Sequence, residues 1–122
     1  MKYMGSLFSV EDINKSREFY EKIMEQTVID DKIDYIVYNG GFSITSKTNW
    51  KGLIDNKEII NGKNNFELYF EHNNIEQFVI KLSENNIKIL HELRKEPWGQ
   101  KVIRIYDPDN YIVEIGEPIG MN

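Results

Sequence analysis

An α+β fold of two tandem βαβββ modules is what this 122-residue sequence predicts, and three observations carry it. Two helix starts, Asp12 and Asn74, stand about 62 residues apart. Each start follows one short strand-like run and precedes three more, so the order of elements repeats. The chain has 14.5 kDa, 40% hydrophobic and 29% charged residues and a mean hydropathy of -0.53, the profile of one globular domain. Copies of half that size are expected to share a core.

Residues 3–10 (YMGSLFSV) read as the first strand, and Asp12 then stands where its carboxylate can accept from the first free backbone N–H groups of a helix. Ile13, Phe19, Tyr20, Ile23 and Met24 fall largely on one face of that helix, with Lys15, Arg17, Glu18, Glu21 and Lys22 on or beside the other. TVIDD, DYIVYN and FSITSK follow as short strands, with Asn39-Gly40-Gly41 as a turn whose glycines can take positive φ. Residues 49–64 have no period and read as loop. This sets module one at 1–48, a linker at 49–64 and module two at 65–122. FELYFE (66–71) opens the second module, and Asn74 caps its helix with Gln77 as capping-box partner. Ile75, Phe78, Val79 and Leu82 mark the buried helix face. KILHEL, QKVIRIY and YIVEIGE complete the sheet, the last two joined by the turn Asp107-Pro108-Asp109-Asn110.

Composition removes several function classes. A net charge of -5 and a pI near 5.1 have the wrong sign for neutralising nucleic-acid phosphates or binding an anionic membrane surface. Zero cysteines exclude disulfides, thiolate metal sites and a cysteine nucleophile. The N-terminal stretch is too short and too soon acidic for a signal peptide, so a cytoplasmic location is the default expectation. The absence of alanine and the excess of Lys over Arg, twelve to three, read as base-composition bias of the source genome. No Ser-His-Asp order, phosphate-cradling glycine loop or H-E-x-x-H helix is present.

Laying one module on the other aligns Gly5 with Glu67, each seven residues before its cap. It also aligns Thr45 with Glu114, each four residues after its turn. If the two sheets curl around a common cleft, these four positions converge in it. Two carboxylates brought close there would repel, and one would show a raised pKa, suiting it to general acid/base work or to holding a cation. Glu114 interrupts the apolar run YIVEIG and reads as a solvent-facing strand position or a cleft residue, and Glu67 in NFELYFE reads as a half-exposed strand residue or a cleft residue. Arg104 lies in the apolar strand VIRIY, where an unpaired charge is costly, so it pairs with a carboxylate such as Glu114 or meets an anionic group. His91 reads as a packed strand residue or as an acid/base beside the glutamates. His72, abutting the Asn74 cap, reads as surface. Trp98 in PWGQ is a loop anchor or a pocket wall, and Trp50, Tyr69, Tyr106 and Tyr111 are core or dimer-surface aromatics or ligand-stacking rings.

The run Val10-Glu11-Asp12-Ile13-Asn14-Lys15-Ser16-Arg17-Glu18-Phe19-Tyr20 resembles the vicinal oxygen chelate superfamily, the glyoxalase/bleomycin-resistance/dioxygenase family. So do Pro97-Trp98-Gly99-Gln100, Tyr106-Asp107-Pro108-Asp109 and Glu114-Ile115-Gly116-Glu117. The resemblance covers essentially the whole chain. It implies paired βαβββ modules around a U-shaped cleft, usually in a homodimer, and a divalent metal at the four symmetry-related positions, commonly His and Glu. Here those positions hold Gly5, Thr45, Glu67 and Glu114, which leaves the two glutamates as oxygen ligands for Mg, Mn or Ni, or no metal at all. The implied function is a lyase or isomerase acting on a small molecule in the cleft. Glu67 and Glu114 would be its acidic pair, lined by Trp98, His91, Arg104, Tyr69 and Trp50. The alternative is a non-catalytic protein of the bleomycin-resistance type that sequesters a cationic small molecule.

Overall fold

The computed structural model describes residues 1–62 and 64–119. The chain divides into two compact units, Met1–Ile60 and Asn61–Asn122. In unit 1, β1 (Ser6–Val10) leads to α1 (Ile13–Arg17), which continues as a π-helical segment over Glu18–Ile23. Then come β2 (Val28–Asp31), β3 (Tyr35–Tyr38), β4 (Phe42–Ser46) and α2 (Lys47–Leu53). Unit 2 holds β5 (Glu67–Glu71), α3 (Ile75–Glu84), β6 (Ile89–Lys95), β7 (Lys101–Tyr106) and β8 (Ile112–Gly116). The sheet orders are β1-β4-β3-β2 and β5-β8-β7-β6, so the two units repeat one topology. The first strand of each pairs parallel with the last, and the other neighbours are antiparallel.

Local chemistry explains both helix starts. Asp12 is extended, and its Oδ1 accepts from the N–H of Asn14 at 3.0 Å and of Lys15 at 3.2 Å. In the π-helical segment the Met24 N–H reaches back five residues to the Phe19 carbonyl at 2.9 Å. That wider turn buries Phe19, Tyr20, Ile23 and Met24 together. Tyr20 packs with Phe8, Tyr38 and Phe42 in an aromatic core. The buried Tyr38 donates its hydroxyl to Glu21 at 2.9 Å, and Arg17 ties Glu21 to Asp31. In unit 2 the Asn74 Oδ1 accepts from the Gln77 N–H at 3.3 Å, but the predicted reciprocal bond is replaced. The Asn74 N–H goes to His72 Nδ1 at 3.0 Å, and Gln77 Oε1 accepts from the Asn74 side chain instead. Lys101 binds Glu76 at 2.9 Å, which lays α3 on the sheet face of Ile103 and Ile105. There Ile75, Phe78 and Leu82 are buried with Val113 and Ile115.

Two expectations change. The stretch predicted as linker begins inside a helix: the Ser46 hydroxyl caps α2 by accepting from the Asn49 N–H at 3.1 Å. None of the seven residues of α2 is buried, so no apolar period could betray it. The second change is register. β1 pairs Leu7 with Ser43, and β5 pairs Tyr69 with Glu114, so the unit 1 counterpart of Glu114 is Ser43 and not Thr45. The cause is hairpin length: five residues lie between the paired Val37 and Ser43, whereas nine lie between the paired Arg104 and Glu114, two more on each side, so counting from the turns errs by two. Thr45 is committed to structure, its hydroxyl donating to the Asp34 carbonyl at 2.9 Å and accepting from Asn49 Nδ2 at 2.7 Å.

Candidate functional site

Strand register in unit 2 puts four polar side chains in one row across the whole sheet. Tyr69 on β5 is paired with Glu114 on β8, Glu114 with Arg104 on β7, and Arg104 with His91 on β6. Side chains alternate faces along a strand, so this row lies opposite the face that α3 covers. Glu67, two residues before Tyr69 on β5, joins the same face.

Arg104 organises the row. Its Nε donates to Glu67 Oε1 at 2.9 Å, its Nη2 to Glu114 Oε1 at 2.6 Å and its Nη1 to His91 Nε2 at 3.1 Å. A guanidinium can only donate, so His91 Nε2 is the acceptor and Nδ1 carries the ring proton, which it gives to the Glu92 carbonyl at 2.9 Å. Glu114 is only 5% exposed, which removes the solvent-facing reading of its strand position. Burial first, then the hydrogen bond and charge of Glu67, push its carboxyl up to about 7 against the pull of Arg104. Glu67 moves the other way. Burial would raise it, but hydrogen bonds from Glu114 and Arg104 and the guanidinium charge hold it below the usual carboxylate range. The two carboxyls titrate as a pair, with the proton on Glu114 donated to Glu67.

Beside the row, Gln100 fixes two aromatic rings. Its Nε2 donates to the Tyr69 hydroxyl at 2.9 Å and to the Glu117 carbonyl at 2.7 Å, while its Oε1 accepts from Trp98 Nε1 at 2.8 Å. Tyr69 in turn donates to Glu71 at 2.6 Å. Both rings stay open to solvent, Tyr69 45% and Trp98 57% exposed, yet each polar tip is pinned. Gln100 was quoted in the sequence motif without a role. Its signal was Gly116, where a Cβ would run into the Gln100 amide. Of the predicted residues, Glu67, Glu114, Arg104 and His91 form one cluster, with Tyr69 and Trp98 joined through Gln100. Trp50 lies half-buried on α2 in unit 1. Tyr111 is buried against Phe66, and Tyr106 carries Lys88 over its ring.

The matching face of unit 1 is differently furnished. Leu7, Ser43 and Val37 stand where unit 2 has Tyr69, Glu114 and Arg104. With Gly5 in place of Glu67, they line a cavity of about 370 Å³ that also touches Tyr35 and Gly41.

A divalent metal does not suit these residues. A Cβ at position 5 would lie 2.6 Å from the Gly41 carbonyl oxygen, so that position cannot carry a ligand. Ser43, the counterpart of Glu114, offers only a neutral hydroxyl, Thr45 commits its hydroxyl to Asp34 and Asn49, and both glutamates already grip a guanidinium. Among the described residues no group of three or more His, Asp or Glu is placed to hold a metal ion. None of their helices is long and apolar enough to cross a membrane.

The family model described as "Glyoxalase-like domain" matches residues 3–120. Among curated proteins, the chain is 27% identical to the metallothiol transferase FosB of Staphylococcus saprophyticus over 110 residues, 88% of this chain and 71% of FosB. Among solved structures, it matches a protein of unknown function from Agrobacterium tumefaciens with a TM-score of 0.89 and 28% identity. That match covers 98% of this chain and 95% of the other. A member of the glyoxalase/bleomycin resistance protein/dioxygenase superfamily from Sphaerobacter thermophilus shares the fold, with a TM-score of 0.71, 17% identity and coverage of 97% and 98%.

Proposed function

Because the chain belongs to the glyoxalase-like domain family of the vicinal oxygen chelate superfamily, we propose that it is a small-molecule lyase or isomerase. In this reading Glu114 moves a proton without a metal. The observation that carries it is the buried Glu114, held between Arg104 and Glu67 on the sheet face opposite α3. A carboxyl with a pKa near the working pH can both take and return a proton, the condition for general acid/base catalysis. In an isomerisation of an α-hydroxy carbonyl compound, the C–H bond on the hydroxyl-bearing carbon breaks, its proton goes to the Glu114 carboxylate and the electron pair moves through a new C=C bond to the carbonyl oxygen, giving an enediolate. The hydroxyl proton passes to that oxygen, and return of the Glu114 proton to the former carbonyl carbon gives the isomer and restores Glu114. Tyr69 and Trp98, pinned but exposed, supply flat walls for an organic substrate.

The other expectation, capture of a cationic molecule by the acidic pair, loses support from the same geometry. Arg104 already neutralises one carboxylate charge, and the proton on Glu114 removes the other. A cation would have to displace the guanidinium.

The test is a titration of protein carrying ¹³C-carboxyl-labelled glutamate, followed by NMR from pH 3 to 9. A Glu114 midpoint near 7, with Glu67 below the usual range, supports the reading. Both residues titrating near their ordinary value would end it.

A further inference from the structure

We infer that Asn39-Gly40 is a site of self-modification, where the chain loses ammonia and places a carboxylate on the lip of the unit 1 cavity. The hairpin between β3 and β4 itself calls for the residues that make this possible. Gly40 and Gly41 have φ of 112° and 95°, a region that residues with a Cβ rarely adopt, so the turn is built from glycine. A glycine placed after an asparagine also leaves its backbone nitrogen unshielded by any side chain of its own.

Three observations clear the path for ring closure. Asn39 and Gly40 are both exposed. Neither the Asn39 side-chain amide nor the Gly40 N–H has a hydrogen-bond partner among the described residues. Beyond the adjoining residues, no atom lies within 4 Å of where a Cβ on Gly40 would stand, which leaves room for a ring at the turn. The flanks, by contrast, are held. Tyr38 pairs with Phe42, the Asn39 N–H donates to the Thr27 carbonyl at 2.8 Å and the Ser6 N–H to the Gly41 carbonyl at 2.9 Å.

In the reaction the Gly40 nitrogen attacks Asn39 Cγ. The N–Cγ bond forms, the nitrogen gives up its proton, and the Cγ–Nδ2 bond breaks to release ammonia. Solvent water then opens the five-membered imide at either carbonyl. One opening leaves aspartate; the other leaves isoaspartate, whose backbone runs through Cγ and is one atom longer. A nucleophile acts through its deprotonated form, so conversion quickens as the pH rises. Asn39 belongs to the cavity of about 370 Å³, and among the described residues that line it none is charged. The product therefore turns a neutral lip anionic, which favours cationic occupants over anionic ones. None of this depends on the proton-transfer reading.

The test keeps the folded chain in mildly alkaline and, in parallel, mildly acidic buffer, separates the aged protein by anion exchange and maps its peptides by mass spectrometry. The alkaline sample is expected to hold the larger fraction about 1 Da heavier at residue 39, part of it a substrate for an isoaspartyl methyltransferase. Asn39→Gln, whose amide would need a six-membered ring, is expected to lose that fraction. Product at the second Asn-Gly step, Asn61-Gly62, falls in a different tryptic peptide and is read separately. In the separated fraction, the amide NMR signals of Gly5 and Ser43, which line the same cavity, are expected to follow the titration of a carboxyl absent from fresh protein. If Asn39 stays amidated in the folded chain while urea-unfolded chain converts, the fold blocks ring closure and the inference fails. It fails equally if neither converts, or if Asn39→Gln gains an acid at residue 39 as fast as the wild type. A converted fraction whose Gly5 and Ser43 signals titrate as in fresh protein overturns the placement of the charge on the cavity.

Discussion

Gly5 and Gly116 are both glycines because something stands where a side chain would go, but the obstacles differ. At Gly5, with φ of 142°, it is the backbone carbonyl of Gly41, which cannot step aside. At Gly116 it is the end of the Gln100 side chain, which can swing away if it gives up its bonds to Tyr69 and the Glu117 carbonyl. Gly5→Ala is therefore expected to cost about 2–4 kcal/mol and Gly116→Ala about 1–2 kcal/mol. Equal losses in urea denaturation would contradict that ranking. Glu114 gives a second prediction, whose sign follows from its raised pKa. The folded protein holds this proton more tightly than the unfolded chain does, so the stabilising effect is full below the ordinary value of 4.5. It is lost as the pH climbs toward 7. Relative to Glu114→Gln, wild-type stability should fall by on the order of 1–2 kcal/mol across that window and then level off. Urea midpoints at half-unit pH steps would show it, and a difference that grows with pH would refute it.

Among the elements, what could be read from the sequence is what local chemistry decides. Asp12 and Asn74 were legible as caps because the acceptors they offer lie two or three residues from the donors they satisfy. Asp12→Ala should accordingly cost about 1 kcal/mol in thermal or urea unfolding, and a loss under a few tenths would mean that the cap bonds contribute little. Arg104 was legible as a paired charge because its strand is otherwise apolar. The helix α2 was not, since it buries no side chain and leaves no apolar stripe. Nor was the partner of Glu114 in unit 1, because strand register depends on turn lengths and pairing far along the chain. His91 was visible only as a lone histidine. That it accepts from Arg104 rests on a cross-strand pairing inside an irregular stretch of β6.

For the whole molecule, the titrating groups pull stability in opposite directions on either side of pH 4.5. Asp31 is held below its ordinary range by the Ile33 N–H and Arg17, Glu76 by Lys101 and Glu96 by Arg94. Glu21 and Glu67 are lowered too, by their arginine and hydrogen-bond partners working against burial. These contributions are present above the ordinary carboxylate range and disappear as acid protonates them, while that of Glu114 disappears toward neutrality. Stability should therefore peak on the acid side, near pH 5, close to the pI of 5.1 where the chain is least repelled by its own copies. A thermal midpoint that rises steadily from pH 4 to 8 would contradict this. The duplicated architecture has thus diverged in content while keeping its topology: one sheet face carries an ionic cluster and its counterpart an open cavity. The Gly5–Gly41 contact makes that divergence hard to reverse by substitution alone. With the backbone at a distance that admits no Cβ, a histidine at position 5 could not be seated without parting the two strands. Any variant given a side chain there loses stability before that side chain can bind anything.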